Sequence, residues 1–558
     1  MHYMIGIKGW FNKYRLIVLA VYCFIVSTAG AQDIYWLQFA NKEASEFSLD
    51  NPALFMAPNA LARRAAYDIP IERTDLPIPS AYIAAVDSFI ECKYTSKWLN
   101  GMLGAIQTSE AIDSLLALPF VDTVFMVKTQ SKSKKRRGKG IKGQNKGGDR
   151  MYGESALNIR MHGGIELHSY GFQGQGIEIA VMDNGFQGMD NSGYLAQARN
   201  DGRIVPVYDF VDDDPDVFSE GSHGSLVLGT MLGYFEGQMI GSAPLSKAYL
   251  FVTEDTDSEG LYEEYLWAIA AEHADSIMGI RSVINTSLGY STGFDIADQN
   301  HTIEDMDGNT TPITIAADLA ARKGFLVVNS AGNSGNDAWQ YVTAPADGDS
   351  VLAVGATTID GNRVSFSSLG PTADGRIKPD VMGVGYDVLT TSPYGFLTYA
   401  DGTSFSSPLV SGLCASYWSA YPELTPFEIL SDVKRFSHQF SNPDYEYGYG
   451  IPSFFAMYMA RRTAEANGNV ELYPNPIIED KFNLLIDTDE RESIGVVLHS
   501  ISGQFIYEDG FNTYGASTID IPVSLESALL KEGMFLVGVY DLQSGEELYE
   551  RKVVIPMR

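Results

Sequence analysis

The chain has 558 residues, 45% hydrophobic and 20% charged, with 70 acidic against 39 basic side chains and a formal net charge of −31. That length asks for three or four folded units, and the composition is that of a globular chain rather than a disordered one. The acidic excess argues against nucleic acid as a partner and suits a soluble protein outside the cell.

Lys8, Lys13 and Arg15 precede an apolar run from Leu16 to Val26, followed by Ala29-Gly30-Ala31. This is the pattern of an export signal over residues 1–31, with Gln32 as the new N-terminus. The run is too short to span a bilayer comfortably, and no later stretch is apolar enough, so no transmembrane anchor is expected in the mature chain. Tyr22 is too bulky for lipid attachment at Cys23. Of the three cysteines, only Cys414 falls in the central part, which excludes a disulfide framework there. Among Val410, Leu413 and Ala415 it reads as a buried, inert thiol.

Residues 32–127 carry a mixed pattern, with "IYWLQF" strand-like and "AYIAAVDSFI" and "SEAIDSLLAL" helix-like, as in a small α+β unit. Residues 128–150, "KTQSKSKKRRGKGIKGQNKGGDR", are rich in Gly and Lys and have no apolar period. They read as a solvated linker; a nucleic-acid arm and a proteolytic cutting site are the alternatives.

From 151 to 465 the texture changes. Apolar strands ("GIEIAVMD", "KAYLFVTED", "SVINTSL", "FLVVNSAGN", "VLAVGATT") interleave with helical segments ("HGSLVLGTMLG", "LYEEYLWAIAAEHAD", "ITIAADLAARKG"). This is an α/β pattern: a doubly wound, mostly parallel sheet covered on both faces, with its sites beyond the carboxyl ends of the strands. The polar residues fall there. Asp183 ends the first strand, Ser287-Leu288-Gly289 follows another, and Ser330-Ala331-Gly332-Asn333 a third, while His223 and Ser404 head helical segments. Singly, each has a plain reading as a turn former or helix-start residue. Together, Asp183, His223 and Ser404 occur in one of the chain orders of convergent serine triads.

The stretch "ADGTSFSSPLVSG", residues 400–412, gathers hydroxyls at a helix mouth. Capping is their plain role, and Pro408 is expected in a first turn, where its missing N–H costs nothing. Ser406 and Ser407 fit as capping or packing residues, because helical rotation turns them away from the rim.

"AVMDNGF", "GSHGSLVLGT", "NSAGNSG" and "DGTSFSSPLVSG" resemble, in that order, the motifs of the subtilisin-like (subtilase, S8) serine peptidases, over roughly residues 152–460. The resemblance implies Ser404 as nucleophile, His223 as general base, Asp183 as the carboxylate that orients it, and Asn333 as an oxyanion donor. It implies substrate-binding strands at Ser287-Leu288-Gly289 and Ser330-Ala331-Gly332, protein or peptide substrates and no required cofactor. Asn184 departs from the Thr or Ser usual after the aspartate. Calcium occurs in many subtilases, and the acidic loop with Asp209, Asp212, Asp213, Asp214 and Asp216 is its candidate site here. A solvated Asp- and Pro-rich turn is the competing reading. The residues between Asp337 and Pro345, with "AWQYVT", are expected to floor the first substrate pocket with bulky groups and to select a small or medium side chain.

The segment before the linker resembles the propeptides of such peptidases. Residues 466–558, with "YPNP", "SGQ", "EGMFLVGVYD" and "ERKVVI", read as a small β-sandwich. They resemble the C-terminal sorting domain of the type IX secretion system of Bacteroidetes bacteria. That implies the type IX machinery as a partner, with export across both membranes to the medium or cell surface. A carbohydrate- or protein-binding sandwich is the competitor. The expectation is therefore a monomeric, exported serine endopeptidase made as a precursor, set against an inactive adhesin on the same scaffold. An α/β-hydrolase esterase is disfavoured, because Ser406 stands where Gly-x-Ser-x-Gly needs its last glycine and His223 precedes Ser404.

Overall fold

The computed structural model describes residues 33–129 and 149–465, and, towards the C-terminus, 470–478, 481–487, 493–500, 505–512, 518–524, 533–545 and 547–555. The export signal with Cys23, and most of the basic run, lie outside the described residues.

The first unit is an antiparallel sheet of β1 (Ile34–Phe39), β2 (Ile90–Ser96), β3 (Gly101–Ile106) and β4 (Val121–Lys128), in the order β2-β3-β1-β4. Leu37 and Phe39 face a small core with Tyr82, Val86 and Leu115 from two helices, Ser80–Val86 and Ser109–Leu116. Strand alternation turns Trp36 the other way, into the core of the next unit. The helix expected over "AYIAAVDSFI" stops at Val86, and Ile90 opens β2 instead, buried in register with Ile106.

The central sheet holds β5 (Glu178–Asp183), β6 (Ile204–Asp209), β9 (Lys247–Val252), β10 (Ser282–Thr286), β11 (Phe325–Ser330), β12 (Val351–Thr357) and β13 (Val381–Val384); β7 (Tyr234–Phe235) and β8 (Met239–Ile240) form a separate short hairpin. Its order is β13-β12-β11-β10-β5-β9-β6, and every pairing is parallel. Two faces are buried, as the continuous apolar strands predict. Ile179 and Val181 pack with the helices His223–Leu232 and Thr403–Ala420, whereas Ala180 and Met182 pack with Leu261–Ile277 and Pro312–Arg322. From β5 the chain runs to the edge, returns through β9 and crosses to β10. The crevice therefore opens where β5 meets β9 and β10, a topological switch point. The edge strands β6 and β13 have no counterpart among the expected strands; β6 carries Pro206, which only an edge tolerates well.

A hairpin, β14 (Val388–Thr391) with β15 (Leu397–Ala400), leads into the Thr403–Ala420 helix. Cys414 is fully buried within that helix, and burial pushes its thiol pKa up. The C-terminal segments form two antiparallel sheets: β16 (Val470–Ile478), β17 (Lys481–Asp487) and β20 (Thr518–Ser524) in the order β16-β17-β20, and β18 (Ser493–Ser500), β19 (Phe505–Asn512), β21 (Gly533–Asp541) and β22 (Glu547–Ile555) in the order β19-β18-β21-β22. Ile494, Val496 and Leu498 of β18 and Val537 and Val539 of β21 are buried on one face. Among the described residues, no helix is long and apolar enough to cross a membrane.

Candidate active site

Asp183 ends β5 without solvent exposure, and its two carboxylate oxygens face His223 Nδ1 at 2.9 and 3.1 Å. Two loops cross closely to allow this contact. A Cβ on Gly221 (φ 65°) would stand 1.7 Å from the Asn184 carbonyl oxygen, and one on Gly185 (φ 129°) 2.1 Å from that of Glu220. Only glycine fits either position.

His223 opens its helix, but Ser222 at the N-cap makes no side-chain bond. Asn184 Oδ1 accepts the His223 backbone N–H instead, at 3.1 Å, while the Asn184 N–H donates to Asp183 Oδ1 at 2.8 Å. The residue that departs from the usual Thr or Ser thus caps the helix that carries the imidazole. Burial lowers the affinity of His223 for a proton, but the charge of Asp183 and the hydrogen bond to it outweigh that and hold the imidazole pKa above its ordinary value.

Ser404 is the second residue of the Thr403–Ala420 helix, and none of the clustered serines caps it. The cap comes from across the crevice. Asn333 Oδ1 accepts from Thr403 N at 2.8 Å and from Thr403 Oγ1 at 2.9 Å. A Cβ on Gly402 would stand 3.6 Å from both Asn333 Nδ2 and Ser404 N. Two N–H donors therefore border one space that a side chain would fill. Ser404 Oγ donates to the Ser287 carbonyl at 3.1 Å rather than to the imidazole, and the His223 ring lies 5.9 Å from that of Phe405. The structure thus joins Asp183 to His223 directly, while Ser404, whose neighbour Phe405 lies near the imidazole, turns its hydroxyl to the Ser287 carbonyl just beyond β10.

Pro408 corrects the expectation of a harmless first-turn proline. It is the sixth residue of the helix, where a missing N–H strands the Ser404 carbonyl. Ser287 Oγ supplies the replacement donor at 3.0 Å. The remaining hydroxyls serve packing. Ser407 and Ser411 donate to the buried Asn285 Oδ1 at 3.2 and 2.8 Å, tying the helix to the end of β10.

The two segments expected to bind substrate differ in kind. At 330–332, the Ala331 N–H donates to Val354 and its carbonyl accepts from Thr343, so this residue is wall rather than a free edge. At 287–289, the Leu288 carbonyl accepts from Asn329 Nδ2 and Ser330 Oγ, fastening the segment to β11. The bulky floor is also corrected. Trp339 packs against the core and donates to the Val342 carbonyl. The group between Gly289 and Gly332 is Thr343: its Oγ1 lies 2.1 and 2.9 Å from where their Cβ atoms would stand, and it is buried with no hydrogen-bond partner.

The acidic loop is engaged by its own chain. Asp209 accepts from the N–H groups of Val211 and Asp212, and burial pushes its pKa up to about 6. Asp213 accepts from the hydroxyls of Tyr94 and Tyr208, and Asp214 and Asp216 accept from backbone N–H groups two residues on. Among the described residues, no three His, Cys, Asp or Glu side chains converge to hold a metal. These carboxylates fit a turn, not a calcium cage.

Residues 174–450 match the profile of the Subtilase family, and residues 34–141 that of the Peptidase S8 propeptide domain of Bacteroidota. The chain is 30% identical to subtilisin of Bacillus pumilus over 289 residues, which is 51% of this chain and 92% of the relative. It is 28% identical to subtilisin DY of Bacillus licheniformis over 288 residues, 51% of this chain and 92% of the relative. The crystal structure of the epidermin leader peptide processing serine protease from Staphylococcus aureus has the same fold, at a TM-score of 0.52 and 17% identity, over 77% of this chain and 98% of that one. The molecule is a serine peptidase. The chain belongs to the subtilase family.

Proposed function

We propose that the protein is an exported serine endopeptidase, made as a precursor, that cuts peptide bonds through an acyl-enzyme on Ser404. Rotation about the Ser404 side chain brings its hydroxyl to His223 Nε2. The imidazole takes the proton as the bond to the substrate carbonyl forms, and returns it to the leaving amine. Asp183 holds the tautomer, while Asn333 Nδ2 and Ser404 N–H stabilise the oxyanion. The observation that carries this reading is the two-point contact of the buried Asp183 with His223, on the rim where Ser404 opens its helix. The test is labelling of the purified, processed protein by a fluorophosphonate. Absence of labelling favours a binding protein on an inactive scaffold.

The precursor reading divides the chain into a signal (1–31), a propeptide (32–127), a basic linker (128–150), the peptidase (151–465) and a type IX sorting domain (466–558). Secreted protein beginning at Gln32 argues against removal of the propeptide. The paired antiparallel sheets support the sorting-domain reading, and retention in the periplasm after deletion of 466–558 tests it.

The pH profile follows from the electrostatics. The base works unprotonated, so kcat/KM climbs as pH rises through the His223 pKa. Because Asp183 raises that pKa, the midpoint of the climb falls above 6.5, the ordinary imidazole value. A midpoint at or below it contradicts the assignment. Substrate choice is expected to follow from Thr343, which stands between Gly289 and Gly332 and would restrict the residue before the scissile bond to small side chains. Thr343→Gly is expected to raise kcat/KM for phenylalanine there by roughly tenfold relative to alanine, measured on paired peptides.

A further inference from the structure

β4 ends at Lys128, and from there to Arg150 the chain holds ten Lys and Arg residues against one Asp. The Lys128 ammonium does not go to solvent. It pairs with Asp255 Oδ2 at 2.5 Å and lies over the Tyr262 ring, 4.7 Å from its centroid. Lys93, from the same N-terminal unit, donates to the Tyr262 hydroxyl at 3.0 Å and to the Val211 carbonyl in the acidic loop at 3.1 Å. Asp255 is held in aim. Its Oδ1 accepts the Asp257 N–H at 2.8 Å, and its own N–H donates to Glu263 Oε1 at 2.8 Å. Glu263 Oε2 takes the Gly260 N–H at 2.9 Å, which braces the whole 255–260 turn.

This turn lies on the reactive rim. The Thr253 N–H donates to the Asp183 carbonyl at 3.1 Å, and Glu254 is hydrogen-bonded to the hydroxyl of Tyr290, the residue after Gly289. β4 passes directly over it, with the Val127 carbonyl oxygen 3.7 Å from where a Cβ on Gly260 would stand.

We propose that Asp255 and Tyr262 form a subsite for a lysine or arginine side chain upstream of the scissile bond in a substrate. It rests on the peptidase reading above and on removal of the propeptide. Lys128 is the chain's own occupant. A cut within the linker beyond Lys128 removes Lys128 and Lys93 together, and a braced carboxylate next to an aromatic face remains on the cleft rim without these two cations. A substrate cation in the same place regains both the ion pair and the cation–π contact that Lys128 makes. The acidic excess of the chain adds attraction at longer range.

The test uses the full chain, purified and allowed to process, with rates normalised to serine titrated by fluorophosphonate. Fluorogenic peptides differ only in carrying lysine or norleucine at each position upstream of the cut in turn. One position is expected to favour lysine by about fivefold in kcat/KM, with the preference falling as salt is raised. Asp255→Asn brings that ratio close to one, and Asp255→Lys inverts it. Equal turnover of the two wild-type series at every position overturns the proposal, and this arm does not depend on either variant folding. Absence of titratable serine and of any turnover overturns the peptidase reading instead.

Discussion

Replacing Ser404 with alanine is expected to lower kcat for peptide hydrolysis by about 10⁶-fold, the loss measured when the nucleophile of a subtilisin is removed. On the proposed mechanism no acyl-enzyme forms without the hydroxyl, and Asn333 and the helix N-terminus would retain only their attraction for the oxyanion. The fold survives, because the deleted group makes one hydrogen bond, to the Ser287 carbonyl, worth about 1 kcal/mol. The expected result is a full-length precursor with unchanged circular dichroism, unlabelled by fluorophosphonate and unable to mature on its own. A Ser404→Ala protein that still processes itself removes Ser404 from the mechanism.

The second large effect lies at the interface between propeptide and peptidase. Asp275, on the Leu261–Ile277 helix, is fully buried between two propeptide arginines: Arg63 reaches its Oδ1 at 2.5 Å and Arg64 at 2.9 Å. Asp75 and Lys323 complete the cluster, bonded at 2.7 Å. Arg63 also lies 4.1 Å over the Phe325 ring. Removing one carboxylate from buried guanidinium groups leaves charge uncompensated, at a cost of about 3–5 kcal/mol. Asp275→Ala, made in the Ser404→Ala precursor so that the propeptide stays attached, is expected to lower the urea-unfolding free energy by that amount. In the processed peptidase Asp275 faces water, and the same change costs under about 1 kcal/mol. Equal losses in both forms contradict the buried cluster.

Much of the central sheet is legible in the sequence because its strands are buried on both faces. Residues 179–182 and 325–328 are apolar without a break, and period-2 alternation then deals them to two cores. The edges are not legible, since each has one side unpaired, β13 has only four residues, and Pro206 and Gly383 interrupt the pattern. Each of Asp183, His223, Ser404 and Asn333 has a plain structural use alone; they stand out together because they fall in order at strand ends and helix starts along one rim of the sheet. Asn184, Asn285, Thr343, Asp255 and Asp275 do not stand out. Their partners lie far away in the chain: Asn184 caps a helix 39 residues on, Asn285 anchors a serine 126 residues on, and Asp275 meets an arginine 212 residues back.

Pro408 marks the boundary between the two kinds of knowledge. Locally it reads as a helix-start residue, and only the hydroxyl of Ser287, brought from another strand, makes its place inside the helix tolerable. Residue types and their order along the chain determined that an acid, an imidazole and an alcohol are available at the rim of a doubly wound sheet. Packing decided which donor meets which acceptor. A side chain's donors and acceptors are intrinsic to it, but a hydrogen bond also needs a partner within about 3 Å, and that distance is set by segments remote in sequence.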